Sequence, residues 1–196
     1  MCAKTRADMT AESRAALIAA GRRAFAEKGF AAASMDDLTA AAGLTRGALY
    51  HNFGDKRGLL AAVVAEVDGE MAEAARKVAR QIADPWEALE AEGAAYIELA
   101  LDPEVRRIVL LDGPAFLGDP SQWPSQSECL AEISAALAQL AEAARIRPVD
   151  TEAAARLLNG AALNAALWVA ASDDPASVLP RAAETFRIMA RGLLAD

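Results

Sequence analysis

The stretch of residues 34–56, SMDDLTAAAGLTRGALYHNFGDK, constrains the fold of this chain more than any other part of it. Its pattern predicts two short helices joined by a tight turn. Ser34 begins an S-x-x-D motif with Asp37, in which the hydroxyl accepts from a backbone N–H three residues on and the carboxylate reaches back. Gly43 supplies the positive φ that ends the first helix, and Thr45 is placed to cap the second. Two helices with such a glycine-containing turn are typical of a helix-turn-helix, whose second helix enters the major groove of DNA.

The second of these helices, expected over residues 45–52, carries polar side chains suited to a nucleic-acid interface. Thr45, Arg46 and Gly47 lie at its N-terminal end, which is the end of a recognition helix that meets base edges. Arg46 is the candidate base contact, because a guanidinium pairs with two acceptors of guanine, and Gly47 lets the backbone approach the groove. The expected phosphate contacts are Ser34, Tyr50, His51 and Lys56. The whole expected DNA-binding set is Ser34, Met35, Thr45, Arg46, Gly47, Tyr50, His51, Asn52 and Lys56.

The run AGLTRGALYHNFGDKRGLL resembles the DNA-binding domain of the TetR (tetracycline repressor) family of transcriptional regulators. The similarity extends back through AALIAAGRRAFAEKGFAAASMDDL, so that about residues 10–60 agree in the order and spacing of many fixed positions. Thr39 departs from the pattern, since the family more often has alanine there, and we expect this change to leave function intact. The resemblance implies a DNA-binding transcriptional regulator, expected to be a repressor that a small apolar or aromatic effector releases from a palindromic operator.

Composition favours helices over strands along the whole chain. Hydrophobic residues make up 54% of it, many of them alanine, whereas aromatic residues make up only 5%. Alanine is the strongest helix former and β-branched residues are few, so an all-α fold is expected. Together with the resemblance, this predicts about nine helices in two domains. The first is an N-terminal three-helix helix-turn-helix DNA-binding domain over residues 1–58, and the second is a C-terminal helical ligand-binding and dimerisation domain over residues 59–196.

Net charge at first argues against a DNA-binding protein, because the chain carries −8. The charge is unevenly distributed, however. Residues 1–58 hold nine Lys/Arg and six Asp/Glu, whereas residues 59–196 hold eleven Lys/Arg and twenty-two Asp/Glu. A basic N-terminal part fits a DNA interface, and an acidic remainder would repel the duplex and help to orient docking. An ordinary fluctuation of charge along the chain explains the numbers equally well, so the helix-turn-helix pattern decides between the two.

Helix boundaries outside the motif are marked by capping residues, prolines and apolar spacing. The first helix is expected to begin at Thr10. Asp84 followed by Pro85 is a strong start signal, since an acidic cap precedes a proline at the first helical position. Residues 112–124, DGPAFLGDPSQWP, hold three prolines and two glycines and are expected to be irregular but packed. Thr151 is expected to cap the penultimate helix.

The last two helices carry many small residues and apolar faces wider than one chain obviously covers. An exposed apolar face usually marks an association surface. In the TetR family these helices pair with their copies in a four-helix bundle, so the resemblance implies a homodimer formed through them. The alternative is that the same faces belong to the core of a monomer.

The middle of the chain holds the side chains expected around a small-molecule site. Apolar walls with a few polar groups are the usual composition of such sites. The expected ligand-binding set is Trp86, Tyr96, Arg106, Asp112, Phe116, Trp123, Asn164 and Trp168. Aromatic residues at helical spacing are more often core than pocket, so both roles stay open for each of them.

Several other classes of protein lack support in the sequence. There is no glycine-rich phosphate loop, no G-x-S-x-G and no paired-cysteine motif, so an enzyme is not expected. Two cysteines, Cys2 and Cys129, and one histidine give no metal or disulfide framework, and no cofactor is expected. The N-terminus has no apolar signal segment and no stretch is long enough to span a membrane, so a cytoplasmic protein is expected. Two alternatives stay open: a regulator that binds DNA without a ligand, and a helical small-molecule-binding protein.

Overall fold

The computed structural model describes residues 5–195, with only the backbone at Arg6, so Cys2 lies outside the described residues. Within that range the helices are α1 (Arg6–Ala32), α2 (Met35–Ala41), α3 (Arg46–Phe53), α4 (Lys56–Ala79), α5 (Pro85–Glu98), α6 (residues 103–117), α7 (Pro124–Glu142), α8 (Thr151–Ala171) and α9 (Pro175–Arg191). The middle of α6, Arg106–Asp112, is π-helical. The one isolated β-bridge of the described range joins Ile146 to Leu194. The prediction of an all-α fold of about nine helices is confirmed.

Helices α1, α2 and α3 form an N-terminal head around a small apolar core. The side chains of Leu17, Phe25, Leu38 and Leu49 are completely buried in it. The helical path of α1 breaks at Gly29, which has a φ of 77°. Because a side chain at positive φ is strained, glycine is suited to this break.

The start of α1 differs from the expected one at Thr10. The helix begins at Arg6 because Thr5 and Asp8 form a reciprocal capping box. The Thr5 hydroxyl accepts from the Asp8 amide at 3.2 Å, and the Asp8 carboxylate accepts from the Thr5 amide at 2.9 Å. This T-x-x-D pattern was readable in the sequence and adds a turn to the helix.

The turn between α2 and α3 follows its local sequence signals. The Ser34 hydroxyl accepts from the Asp37 amide at 3.0 Å, and the Thr45 hydroxyl accepts from the Ala48 amide at 3.3 Å. Gly43 has a φ of 65°. These three predictions are confirmed. The expected return contact of the Asp37 carboxylate is replaced by an approach to within 3.9 Å of the Lys28 ammonium.

Helix α4 runs from the head into the C-terminal body, and α5 returns along it after a short turn. Buried apolar side chains of α4, such as Val64, Val67 and Met71, pack with those of α5, α6, α8 and α9. A smaller cluster around Trp86 and Leu137 closes the far end of the body. The body is therefore built on the same helix that supports α3.

The head and the body are joined by polar contacts as well as by α4. Arg22 of α1 donates to both carboxylate oxygens of Glu70 and to both of Glu104, at 2.7–2.8 Å. Its guanidinium also lies 3.2 Å from the Glu66 carboxylate. The backbone amide of Phe30 donates to the Asp112 carboxylate at 2.7 Å. These contacts therefore couple the position of α1 to the positions of α4 and α6.

Two sequence-based boundaries were wrong in the body. Residues 112–124 are largely regular, because Gly113–Leu117 is α-helical and Pro120–Gln122 forms a 3-10 turn. Pro120 and Pro124 stand in first turns, where the missing N–H is not needed, and Pro114 follows the π-helical part of α6. The cap of α8 is Asp150, whose carboxylate accepts from the Ala153 amide at 2.9 Å, and Thr151 is the first helical residue.

Candidate functional site

Helix α3 presents a polar face to solvent. Thr45, Arg46, Gly47, Tyr50 and His51 are all exposed, while Leu49 on the opposite side is completely buried. No atom lies within 4 Å of a Cβ built on Gly47 apart from the Thr45 hydroxyl at 3.6 Å. The N-terminal half of the helix is therefore open to a large partner, and the buried leucine fixes which face it meets.

Arg46, the expected base contact, is held by Asp36 of α2. Its Nε and Nη2 donate to the two carboxylate oxygens of Asp36, both at 2.5 Å. This bidentate contact lowers the pKa of Asp36 and raises that of Arg46. Both side chains are more than half exposed, so the pair contributes little to stability and orients the guanidinium at small cost.

Three residues of the expected DNA-binding set are already engaged within the protein. The Lys56 ammonium donates to the carbonyls of Phe30 and Ala33, each at 2.8 Å, and lies 4.3 Å from the centre of the Phe30 ring. Lysine has three N–H groups, so one is left for a phosphate. The Asn52 side chain donates to the Ala48 carbonyl at 2.8 Å, and Met35 is half-buried against the head core.

The remaining expected contacts surround the exposed face of α3. Ser34 lies at the start of α2, where its hydroxyl serves as the cap. A residue that the sequence analysis missed is Arg14 of α1, whose guanidinium lies 4.6 Å from the centre of the Phe53 ring and donates to the Asn52 carbonyl at 3.4 Å. Nothing in the local pattern indicated Arg14, because its partners are 38 residues or more away along the chain.

The body contains a cavity between α4, α5, α7, α8 and α9. It has a volume of about 60 Å³, which is room for a few water molecules and well below the roughly 150 Å³ of a cavity that holds benzene. Its walls include alanines from three helices, and the Phe186 ring closes one side against Gly93. The polar residues of the lining are Asp68, Glu90, Glu92, Tyr96, Ser125, Gln126, Cys129 and Asn159.

Asp68 is the most buried charged group of this cavity. Only 3% of the residue is exposed, and the Ser125 hydroxyl donates to its carboxylate at 2.6 Å. Burial raises the pKa of Asp68, because the ionised form loses water, and the Ser125 hydrogen bond offsets part of that effect. Burial, with the nearby Asp68 charge, also raises the pKa of the Tyr96 hydroxyl.

A second polar group of the lining joins α7 to α8. The Asn159 amide donates to the Gln126 side-chain carbonyl at 2.8 Å, and the Cys129 thiol lies 3.5 Å from the Asn159 carbonyl oxygen. Burial raises the pKa of Cys129 to about 11. The thiol therefore stays protonated near neutral pH and acts as a weak hydrogen-bond donor.

Of the expected ligand-binding set, Trp86 and Tyr96 line the cavity. Arg106 caps the end of α8 by donating to the carbonyls of Ala170 and Ser172, and Asp112 accepts from the Phe30 amide at the junction with the head. The other four lie elsewhere: Phe116 packs on the Phe30 ring, Trp123 on Gly113, and Asn164 and Trp168 are exposed on α8.

Asp68 and Ser125 were missed by the sequence analysis, although Asp68 left a signal. It follows Val67 and precedes Met71 by three positions, within the apolar stripe of α4. A charged residue at an inward position of a helix is rarely buried without a reason. Ser125 has no such signal, since its position beside Asp68 depends on how α7 packs.

A third unusual surface is an apolar face shared by α8 and α9. Leu157 is 75% exposed, Ile188 61% and Met189 63%, and Trp168 lies beside them under the Arg181 guanidinium at 5.8 Å. Leu157 and Trp168 are eleven residues apart, which places them on one side of a helix. Four of the ten large apolar side chains that are exposed within residues 5–195 lie on these two helices, and they are here called the α8–α9 face.

Two kinds of feature are absent from residues 5–195. No group of three or more His, Cys, Asp or Glu side chains is arranged to hold a metal ion. None of the helices in that range combines the length and the apolar character needed to cross a membrane.

Comparison with known proteins gives matches for both parts of the chain. The family described as bacterial regulatory proteins, tetR family, matches residues 17–63, and the tetracyclin repressor-like C-terminal domain matches residues 86–193, more than half of the chain. The Transposon Tn10 TetC protein of Escherichia coli is 26% identical over 145 residues, which are 74% of this chain and 73% of that protein. The repressor AcnR of Corynebacterium glutamicum is 41% identical over 66 residues, 34% of this chain and 35% of AcnR.

Similarity to a solved structure extends over the whole fold. A TetR-family transcriptional regulator from Pectobacterium atrosepticum superimposes with a TM-score of 0.89 at 42% identity, covering 98% of this chain and 99% of the other. The expectation that the chain is not an enzyme is confirmed by this kinship, since the family consists of transcription factors. The chain belongs to the TetR family of bacterial DNA-binding transcriptional regulators.

Proposed function

We propose that this regulator is a homodimeric repressor that binds a palindromic operator and leaves it when a small molecule enters the cavity of the body. It would act in the cytoplasm, where the DNA is. The observation that carries the proposal is the exposed polar face of α3, with Arg46 oriented at its N-terminal end.

The free part of the Arg46 guanidinium suits a guanine. Asp36 occupies Nε and one N–H of Nη2, so the two N–H groups of Nη1 and the second one of Nη2 remain. These form the terminal edge of the guanidinium, which matches the paired O6 and N7 acceptors of guanine in the major groove. Thr45 and Gly47 would then lie against the groove, and Ser34, Tyr50, His51 and the last N–H of Lys56 would reach phosphates.

The α8–α9 face supports the homodimer. An apolar surface of this kind is unfavourable in water and favours burial against a second copy. Gly160 adjoins Leu157 and has no atom within 4 Å of a built Cβ, so a partner helix meets no side chain there. Two copies would place two α3 helices on half-sites about one helical turn apart, 10–10.5 base pairs.

The cavity supports release by a ligand, because its walls include the helix that supports α3. Asp68, Ala72 and Ala75 of α4 line it, and the same helix begins three residues after α3 ends. A ligand acts only by binding one arrangement of the heads better than the other. We infer that filling the cavity shifts α4, and that the contacts of Arg22 and Phe30 carry this shift to α1.

The test is a gel shift with the DNA upstream of the protein's own gene, using wild type and Arg46→Ala. Retarded DNA with wild type, and loss of preference over unrelated DNA with the variant, is the expected result. No retardation at low ionic strength would leave a helical small-molecule-binding protein. A thermal-shift screen then separates ligand-responsive from ligand-independent regulators, since a true effector raises the melting temperature by mass action.

A further inference from the structure

The polar lining of the cavity is strongly unbalanced in charge. Three carboxylates line it, on Asp68, Glu90 and Glu92, and no lysine or arginine does. Glu90 is neutralised from outside, because both of its oxygens accept from Arg191 at 2.7 Å. Asp68 and Glu92 have no such ion pair among the described residues, so two acidic groups face the cavity without a counter-ion.

The two arginines that act on the pKa of Glu92, Arg76 and Arg80, form ion pairs with other carboxylates. The Arg76 guanidinium binds Glu73 at 3.2 Å and Glu132 at 3.0 Å, and Arg80 binds Glu73 as well. Burial raises the pKa of Glu92, and the neighbouring Glu132 carboxylate adds to the effect while the two arginines reduce it. The protein itself therefore compensates the acidity of the cavity only in part, and forms no ion pair with Asp68 or Glu92 among the described residues.

A different group is unsatisfied at the other end of the cavity. Trp86 lines it and is 4% exposed, yet its indole N–H has no hydrogen-bond partner among the described residues. Asp68 and Tyr96 lie near the head, whereas Trp86, at the start of α5, lies ten residues from Tyr96 along that helix, about 15 Å. A buried donor without an acceptor is costly, and a ligand acceptor would remove that cost.

We propose that the ligand of this cavity is a small protonated amine whose ammonium group binds between Asp68, Glu92 and Tyr96, and whose far end carries a hydrogen-bond acceptor for the Trp86 indole. This inference rests on the proposed role of the cavity as the effector site. It replaces the expectation of a purely apolar or aromatic effector by a cation with an apolar middle.

The charge of the cavity favours a protonated amine over an anionic ligand and over a purely apolar one. An anionic ligand would bring a third like charge next to Asp68 and Glu92 without a cation to receive it, which strongly disfavours binding in a site of low polarity. A purely apolar ligand would leave the Asp68 carboxylate without water and without a cation, with only the Ser125 hydroxyl as a hydrogen-bond donor. The volume of about 60 Å³ is well below the roughly 150 Å³ of a cavity that holds benzene, so binding of a ring-sized amine requires the helices around the cavity to move apart.

The test uses three probes of nearly equal shape, measured by calorimetry on the full chain. Tyramine carries an ammonium group and a phenol, 4-ethylphenol lacks the ammonium, and 3-(4-hydroxyphenyl)propanoate replaces it by a carboxylate. Tyramine should bind at least about tenfold more tightly than either of the others, since only it compensates buried carboxylates. Phenethylamine, which lacks the phenol oxygen, should bind a few-fold more weakly than tyramine.

Variants separate this charge effect from cavity shape. In Asp68→Asn the preference for tyramine should fall to about threefold or less, because the shape is kept and the charge is lost. Glu128→Gln is the matched control, as it removes a carboxylate from the exposed side of α7, outside the cavity, and should leave the preference unchanged. Ala72→Leu, which fills the cavity, should abolish binding of all four probes.

The proposal is overturned if the carboxylate probe binds as tightly as tyramine, if Asp68→Asn keeps the full preference, or if no amine binds at millimolar concentration. Failure of the proposed function is a separate result. Amine binding without any DNA retardation would contradict the repressor, whereas DNA retardation released by an anionic compound would contradict only the amine.

Discussion

The head and the body hold their key carboxylates in opposite ways. Asp36 in the head is exposed and paired with Arg46, which lowers its pKa, whereas Asp68 in the body is buried without a cation, which raises its pKa. The head thus orients Arg46 for DNA while the side chains of Arg46 and Asp36 are still more than half exposed to water. The body instead keeps a charge in an unfavourable place, which a protein tolerates at functional sites. The difference implies that DNA adds to an existing arrangement, whereas the proposed effector would relieve the cost of a buried charge.

Two heads bind one operator together only if the bodies dimerise. A charge placed in the α8–α9 face should therefore have the largest effect on DNA binding. Leu157→Asp should give a monomer by light scattering, and operator affinity should fall by at least about a hundredfold because bivalent binding is lost. Val149→Asp is the control, since Val149 is also partly exposed but lies outside the face. A Leu157→Asp protein that stays dimeric would remove the α8–α9 face from the dimer interface.

Arg46→Ala should cost roughly a tenfold to a hundredfold in discrimination between operator and altered operator, the effect of one lost bidentate base contact. The measurement is competition binding with an operator in which one guanine of each half-site is replaced. Arg57→Ala, which removes an exposed cation from α4, should weaken binding to both DNAs equally. Equal discrimination by wild type and Arg46→Ala would show that another residue reads the base.

Lys56→Met should act mainly on the head itself. The ammonium satisfies two carbonyls after the break in α1, so its loss should lower the melting temperature by roughly 5 °C. The phosphate contact proposed for its third N–H adds a smaller effect, a slightly shallower salt dependence of binding to all DNA. A normal melting temperature in Lys56→Met would contradict the capping role of the ammonium.

Asp36→Asn tests whether the carboxylate in the head orients Arg46. We expect DNA affinity and discrimination to change by a few-fold. Removing the carboxylate should raise affinity for unrelated DNA, because repulsion of phosphates falls, and should lower discrimination, because Arg46 is no longer oriented. Asp37→Asn removes the neighbouring charge, which faces Lys28 and not Arg46. It should raise affinity for both DNAs and leave discrimination intact, and the same outcome in Asp36→Asn would exclude orientation by Asp36.

Asp68→Asn tests the cost of the buried charge in the body. We expect the melting temperature to change by a few degrees. A carboxyl whose pKa is raised by folding contributes stability only below its ordinary value of 3.8, and that stability is lost as pH rises through the folded pKa. The variant should therefore melt a few degrees higher than wild type near pH 7, and the gain should vanish near pH 4. Glu92 titrates in both proteins and its contribution cancels, while Tyr96 and Cys129, whose pKa values are raised, stay protonated over this pH range. A variant less stable than wild type at every pH would contradict an unfavourable charge at Asp68.

Sequence reasoning worked best where structure depends on neighbours along the chain. The caps Ser34 and Thr45 and the turn at Gly43 follow from a few adjacent residues, and all three are present. The pairing of Arg46 with Asp36 and the capping role of Lys56 were not predicted, because they depend on how α1, α2 and α3 pack. Residue type alone does not tell which way a side chain points.

The same limit explains the body. Arg106 and Asp112 look like polar groups of a pocket by composition, yet one caps α8 and the other receives a backbone amide from the head. Trp86 and Tyr96 were expected at the cavity and line it, and Asp68, which interrupts an apolar stripe, was the one missed cavity residue that the sequence could have indicated. Exposure of Leu157 and Ile188 was not predictable from spacing, because an apolar side chain at helical period fits a core and an interface equally well.

Methylation protection tests directly whether two copies of α3 contact guanines through Arg46. Dimethyl sulfate modifies guanine N7 in the major groove, which is the acceptor that Arg46 is proposed to bind. With wild type, we expect protected guanines at symmetric positions in two half-sites about one helical turn apart, and with Arg46→Ala the same guanines should react as in free DNA. A single unsymmetrical protected patch, or protection that survives in Arg46→Ala, would contradict the claim.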